Sequence, residues 1–180
     1  AVADVLFGDY NPGGKLPVTI PRSVGHIPCF YNHKPSARRG YVFDDITPLY
    51  PFGFGKSYTT FAISKVRLEK AVIGMGESTR VMAEVRNTGQ RSGSEVVQMY
   101  IRDSISSVSR PVKELRGFRR VHLAPGETKL VELEITPDDL AFTTIAMEHK
   151  VEPGQFEIMV GSSSRDEDLT RLILQVRESN

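Results

Sequence analysis

The sequence has a single cysteine, Cys29, and no tryptophan. One thiol excludes an internal disulfide and any cysteine-built metal cage. No apolar run approaches the ~18–20 residues of a membrane-spanning helix. No charged stretch followed by an apolar one opens the chain as a signal peptide does. An excess of charge is lacking as well: 23 lysines and arginines face 22 aspartates and glutamates. Neither nucleic acid nor a membrane surface is therefore expected as a partner. Glutamate is missing before Glu69, whereas seven of the eleven prolines and five of the six tyrosines precede residue 60. So many prolines forbid long regular elements in residues 11–57.

The glycine-rich run FGDYNPGGKLP (7–17) tests a phosphate-binding reading and fails it. A phosphate cradle needs G-x-x-x-x-G-K-[ST]. Here Gly8 and Gly13 have the spacing, but Gly14 follows instead of lysine; with Gly14 as the second glycine, Asp9 stands where the first should be and Leu16 replaces the metal-binding hydroxyl. Ahead of it, AVADVLFG spaces Val2, Val5, Leu6 and Phe7 as a helix does, with no cap residue and Gly8 as a stop. This reads as the last two turns of a helix, and the chain is expected to be a piece of a longer protein. LPVTI (16–20) is expected as a short strand.

Beyond residue 60 the pattern is regular. Val81, Ala83 and Val85 fall on one face with Arg80, Glu84 and Arg86 on the other, and Val131, Leu133 and Ile135 are set against Glu132 and Glu134. Phe156, Ile158 and Val160, then Leu172, Leu174 and Val176, repeat the period of two. Further strands are expected at 61–70, 95–103 and 114–123, with turns at NTG (87–89), APGE (124–127) and EPG (152–154). Thr136 and Pro137 open a short helical turn over 136–142. About seven strands in this length predict an immunoglobulin- or fibronectin type III-like β-sandwich. The fold class is thus mainly β, preceded by an irregular tail.

Residues that carry chemistry are sparse. His26, His33, His122 and His149 have no metal-ligand spacing, so no metal site is expected; His122 and His149 read as surface residues. Cys29 lacks any nucleophile signature and reads as loop packing. Asp44 and Asp45 fail as a glycosidase pair, because neighbours in an extended chain point to opposite sides; they suit a turn before Thr47–Pro48. RPVKELRGFRR (110–120) reads as a solvated strand face, too narrow for nucleic acid. YNHKPSARRGYVFDD (31–45) gathers tyrosines, arginines, histidine and carboxylates, the groups that grip sugar rings and hydroxyls. A surface loop held by its own hydrogen bonds is the other reading of the same stretch.

Five stretches, in order, resemble the C-terminal part of a family 3 glycoside hydrolase of the β-glucosidase type. They are ADVLFGDYNPGGKLPVTIPRSVGHIPCFYNHKP (3–35), PLYPFGFGKSYTTF (48–61), NTGQRSGSEVVQMYI (87–101), SRPVKELRGF (109–118) and EPGQFEIMVGSSS (152–164). The resemblance covers nearly the whole chain. It implies that 1–57 is the tail of an α/β-sandwich domain with its connector, and 58–180 a fibronectin type III-like sandwich. It further implies a retaining exo-β-glycosidase as the parent, most simply a β-glucosidase, with no cofactor and a periplasmic or secreted location. The family's catalytic aspartate and acid/base lie upstream of ADVLFG, so no catalytic residue is assigned here and the chain alone is expected to be inactive. Its partners would be the upstream catalytic domains of the same protein and, through them, a β-glucosidic substrate. Tyr50, Phe52, Phe54 and Tyr58 would anchor the connector, Gly53 and Gly55 would permit close approach, and Lys56 stands where the family has leucine. Tyr31, His33, Arg38, Arg39, Tyr41 and Asp44 are the candidate residues at the substrate rim. Residues 1–57, without their own domain, are expected to lack partners. Two rival readings are a stand-alone carbohydrate-binding or adhesion module, which the missing tryptophan disfavours, and a purely structural interaction domain.

Overall fold

The computed structural model describes residues 2–37 and 45–178. Arg38, Arg39, Tyr41 and Asp44 lie outside the described residues. A helix, α1 (Val2–Phe7), opens the chain, and a single 3₁₀ turn forms at Val24–His26. From Phe61 onward come β1 (Phe61–Leu68), β2 (Val72–Gly74), β3 (Thr79–Asn87), β4 (Gly93–Asp103) and β5 (Glu114–Leu123). They are followed by β6 (Thr128–Ile135), helix α2 (Pro137–Leu140), β7 (Phe142–Thr143), β8 (His149–Lys150), β9 (Gly154–Gly161) and β10 (Leu169–Arg177).

Two sheets face each other, one ordered β1-β3-β6 and the other β2-β10-β9-β4-β5. All pairings are antiparallel except that of β10 with β2. The alternation in the sequence sets the register: Val81 lies opposite Leu133, Ala83 opposite Val131, and Phe156 opposite Leu174. Their side chains meet Val97, Met99 and Ile101 of β4 in one continuous core. Each large apolar side chain so buried is worth about 1.5–3 kcal/mol. The expected sandwich is thus formed, and α2 sits at the expected turn, capped by reciprocal bonds between Thr136 and Asp139.

Three local expectations need correction. LPVTI forms no strand; it makes an isolated bridge from Ile20 to Tyr50 and backbone bonds from Leu16 to Gly53 and Phe54. Pro17 and Pro21 remove two backbone donors that a ladder would use. Short β2 and the β7–β8 hairpin (Phe142 opposite Lys150) have too few residues to show a period in sequence. Finally, residues 1–57 do not lack partners throughout. From Val97 to Ile101 every side chain of β4 is buried. A strand with one wet face would alternate; here the outer face is covered by residues 11–20, 31–33 and 51–58.

Candidate functional site

The covering arm is fixed by a small set of contacts. Lys15 Nζ reaches Glu95 Oε1 of β4 at 2.6 Å, with both side chains largely buried. Asn11 donates from Nδ2 to Ser92 O and accepts, through Oδ1, from Ser57 Oγ and the Tyr58 amide. Within the arm, the Leu16 amide donates to Phe54 O and the Gly53 amide to Leu16 O, both at 2.8 Å. The Tyr58 hydroxyl donates to Val5 O, tying α1 to the connector. Gly53 has φ +78°, and a Cβ there would lie 2.0 Å from Gln98 Oε1. Only glycine tolerates both the left-handed backbone and that approach. Gln98 uses its amide to donate to Gly53 O and Ser162 O, while its carbonyl accepts from the Tyr100 hydroxyl. Burial raises the Tyr100 phenol well above its ordinary value, with the nearby Tyr31 adding to the shift.

The ring of Tyr31 is the centre of the joint. It stacks on Phe52, with centroids 4.3 Å apart, and meets Tyr100 edge-on at 5.7 Å. Its hydroxyl accepts from the Leu115 amide. Two residues further on, the backbone of His33 accepts from the Val112 amide. Tyr31 and His33 are thereby brought together on the wall of a cleft of about 640 Å³ between the arm and one end of the five-stranded sheet. Of the other rim candidates, Arg38, Arg39, Tyr41 and Asp44 fall outside the described residues. Asp45 is held in the expected turn: it accepts from the Thr47 amide and hydroxyl and pairs with Arg22. Those hydrogen bonds from Thr47, reinforced by Arg22, lower its carboxyl.

The floor of the cleft carries residues that the sequence left unmarked. The Lys113 side chain, 9% exposed, donates to Ser164 O and pairs with Asp166. Asp166 also pairs with Arg171 at 2.8 Å, and Arg171 with Glu157 at 2.7 Å. Burial pushes the Asp166 carboxyl up, but Lys113 and Arg171 together outweigh it and hold it lowered. Next to the cleft, Arg110 is 7% exposed at its side chain; it binds Glu114 at 2.8 Å, Leu140 O at 3.1 Å and Asp103 at 3.6 Å, and lies over Phe142. The solvated face expected for 110–120 therefore holds at Arg119, Arg120 and exposed His122 beyond them, but not at Arg110 and Lys113. Glu114 and Asp103 are near in sequence, whereas Leu140 of α2 and, for Lys113, Ser164 and Asp166 of the β9–β10 turn are distant.

The connector anchors take varied roles. Phe52 is clamped by Tyr31, whereas Tyr50 stacks on Phe54 at 5.2 Å and remains partly exposed. Arg91 lies over the Tyr58 ring. Lys56 is exposed, as expected. Among the described residues no cluster of histidine, cysteine or carboxylate could hold a metal ion. No helix of the described residues is long and apolar enough to cross a membrane.

The fold and its joint define a fibronectin type III-like sandwich with an N-terminal arm strapped across its larger sheet. Comparison with known families matches residues 95–164 to the fibronectin type III-like domain and residues 1–58 to the glycosyl hydrolase family 3 C-terminal domain. The chain is 48% identical over 181 residues to a β-xylosidase of Formosa agariphila, covering 98% of this chain and 25% of that protein. It is 46% identical over 175 residues to a periplasmic β-glucosidase of Salmonella typhimurium, covering 91% and 23%. A solved β-glucosidase of Erythrobacter marinus superposes with a TM-score of 0.93 at 49% identity, over 98% of this chain and 23% of that one. The chain belongs to family 3 of the glycoside hydrolases and corresponds to their C-terminal portion. It spans about a quarter of the length of the curated relatives it matches.

Proposed function

We propose that this chain is the C-terminal brace of a retaining, exo-acting β-glycosidase, a β-glucosidase that removes terminal non-reducing β-D-glucosyl residues. Residues 1–57 act as the tail of its α/β-sandwich domain, and 58–180 as a fibronectin-like sandwich that holds that tail in place. In the whole enzyme an upstream aspartate attacks the sugar, a covalent glycosyl intermediate forms, and activated water hydrolyses it. Tyr31 and His33 contribute to the substrate rim, as do Arg38, Arg39, Tyr41 and Asp44 of the same stretch of sequence.

The observation that carries this reading is the two-sided character of the arm. One side is locked to β4 through Lys15, Tyr31 and Gly53, with Phe52 stacked behind Tyr31. On the other side α1 buries no residue, and Phe7 is 85% exposed beside exposed Val2 and Leu6. A six-residue helix with an apolar, uncovered face needs a packing partner, which the upstream catalytic domains supply. A stand-alone sugar-binding module gains no support: of the aromatics beyond residue 61, Tyr100, Phe142 and Phe156 are buried, which leaves Phe118 as the exposed ring.

The test is hydrolysis of p-nitrophenyl β-glucoside and β-xyloside by the full-length gene product, with the 180-residue chain alone in parallel. The full-length protein turns over the glucoside faster than the xyloside, and the chain alone matches the blank. Turnover by the chain alone, or none by the full-length protein, contradicts the proposal.

A further inference from the structure

We infer that the cleft between the arm and the sheet is a binding site for a carboxylate-bearing sugar, a uronic acid or a glycoside of one. The site lies wholly within this chain and does not depend on the glycosidase reading.

Charge sets the first condition. Five cations line the cleft: Arg22, Arg102, Lys113, Arg165 and Arg171. Asp166 and Glu167 face them from the same wall, and Asp45 and Glu157 pair from behind with Arg22 and with Arg102 and Arg171. Four carboxylates against five cations leave one positive charge in excess. That balance suits a monoanion; a phosphate dianion would meet the two lining carboxylates. Arg165 is the unspent cation: it lies 5.8 Å over the Phe54 ring and pairs with no carboxylate among the described residues.

Hydrogen-bonding capacity sets the second. An ammonium group has three donors, and Lys113, though nearly buried, uses two, toward Ser164 O and Asp166. His33 Nδ1 lies 2.9 Å from Lys34 O, and a carbonyl only accepts, so Nδ1 donates there and Nε2 is left for a further hydrogen bond. Thr19 Oγ1 is buried on the same wall without a partner. Donors, acceptors and hydroxyls interleaved in this way match a polyhydroxylated ligand better than a bare anion. Pro48, Leu49 and Val112 supply apolar surface for the ring's C–H face, and a volume of about 640 Å³ accommodates a mono- or disaccharide.

The experiment is titration of the 180-residue chain, followed by NMR amide shifts, with sodium glucuronate, glucose, acetate and inorganic phosphate. Glucuronate is expected to saturate with a dissociation constant in the millimolar range, about tenfold tighter than glucose, because a charge-assisted hydrogen bond is worth about that factor, and tighter than acetate, which lacks the hydroxyls and the ring face. Shifts should centre on His33, Lys113 and Ser164. Arg165→Ala, an exposed position remote from the core, weakens glucuronate about tenfold and leaves glucose unchanged; Arg177→Ala, at the far end of β10, changes neither. Absence of saturation, equal binding of glucose and glucuronate, phosphate binding as tight as glucuronate, or indifference to Arg165→Ala each overturns the inference. Loss of glycosidase activity in the full-length protein leaves these titrations unaffected, so the two proposals fail separately.

Discussion

Tyr31 and Phe52 stack at 4.3 Å with their planes 22° apart, and Tyr100 meets the edge of the same tyrosine from the sheet. This contact joins two stretches of the arm, 21 residues apart in sequence, to β4 of the larger sheet, between β9 and β5. Phe52→Ala removes the stack and opens the outer face of β4. It should lower stability by about 2–4 kcal/mol, at the lower side for a ring only partly enclosed. Tyr31→Phe loses only the hydrogen bond from the Leu115 amide, a cost of about 0.5–1.5 kcal/mol. Urea unfolding of the two variants checks the order.

Gly53 and Gly126 share a left-handed backbone, with φ of +78° and +75°. A Cβ at Gly126 meets nothing within 4 Å, whereas one at Gly53 lands on the Gln98 amide. Both Gly→Ala changes carry the same backbone strain of about 1–2 kcal/mol. Only Gly53→Ala should add the loss of the Gln98 hydrogen bonds and partial release of the connector. A larger drop in melting temperature for Gly53→Ala than for Gly126→Ala is the expected result.

Lys15 and Glu95 form an ion pair shielded from water by the NPGGKLP turn and the connector. Lys15→Met strands the Glu95 carboxylate and should cost about 2–4 kcal/mol. The double change Lys15→Met with Glu95→Gln should recover much of that loss, because no charge is left unpaired. A double-mutant cycle in urea measures the coupling.

Two carboxylates predict opposite pH effects. Burial raises the Asp103 carboxyl against the pull of Arg110 and the Ile105 amide. A carboxyl whose folded pKa lies above its unfolded value costs stability when ionised. The cost is absent in acid and sets in as pH climbs from the unfolded value, about 3.9, through the raised folded one. Asp103→Asn should therefore gain on the native chain as pH rises through that window. Asp166, lowered by Lys113 and Arg171 in spite of burial, behaves the other way. Its stabilisation is full above the unfolded value and disappears as pH falls through the folded one, so Asp166→Asn is destabilising at neutral pH and neutral in strong acid. Thermal melts from pH 2.5 to 8 separate the two.

The sandwich was legible because period-two alternation is a local property: Val81, Ala83 and Val85 announce their buried face without reference to any partner. The helical turn at Pro137 was legible for the same reason. The joint was not. Nothing near Gln98 or Tyr100 says that an arm nearly 50 residues earlier covers the outer face of β4. Likewise nothing in SRPVKEL shows that Arg110 and Lys113 turn inward to Asp103 and Asp166. The connector anchors Phe52 and Gly53 and the rim candidates Tyr31 and His33 entered through resemblance to a family, not through any pattern of their own. Lys15, Glu95, Lys113 and Arg165 carried no sequence signal beyond charge, which on most surfaces means only solvation.

Amide hydrogen exchange of the 180-residue chain tests most directly whether the arm is part of the sandwich it crosses. The amides of Leu115 and Ser164 bond across the joint, to Tyr31 and Phe52, and those of Leu16 and Gly53 bond within the arm, to Phe54 and Leu16. They should be protected together, close to the level of β4, and should lose protection together in Phe52→Ala while the core amides of β3 and β9 keep theirs. Exchange of Leu16 and Gly53 at the rate of an unstructured peptide in the native chain would contradict the account, since the arm would then be a loose tail and the sandwich could brace nothing.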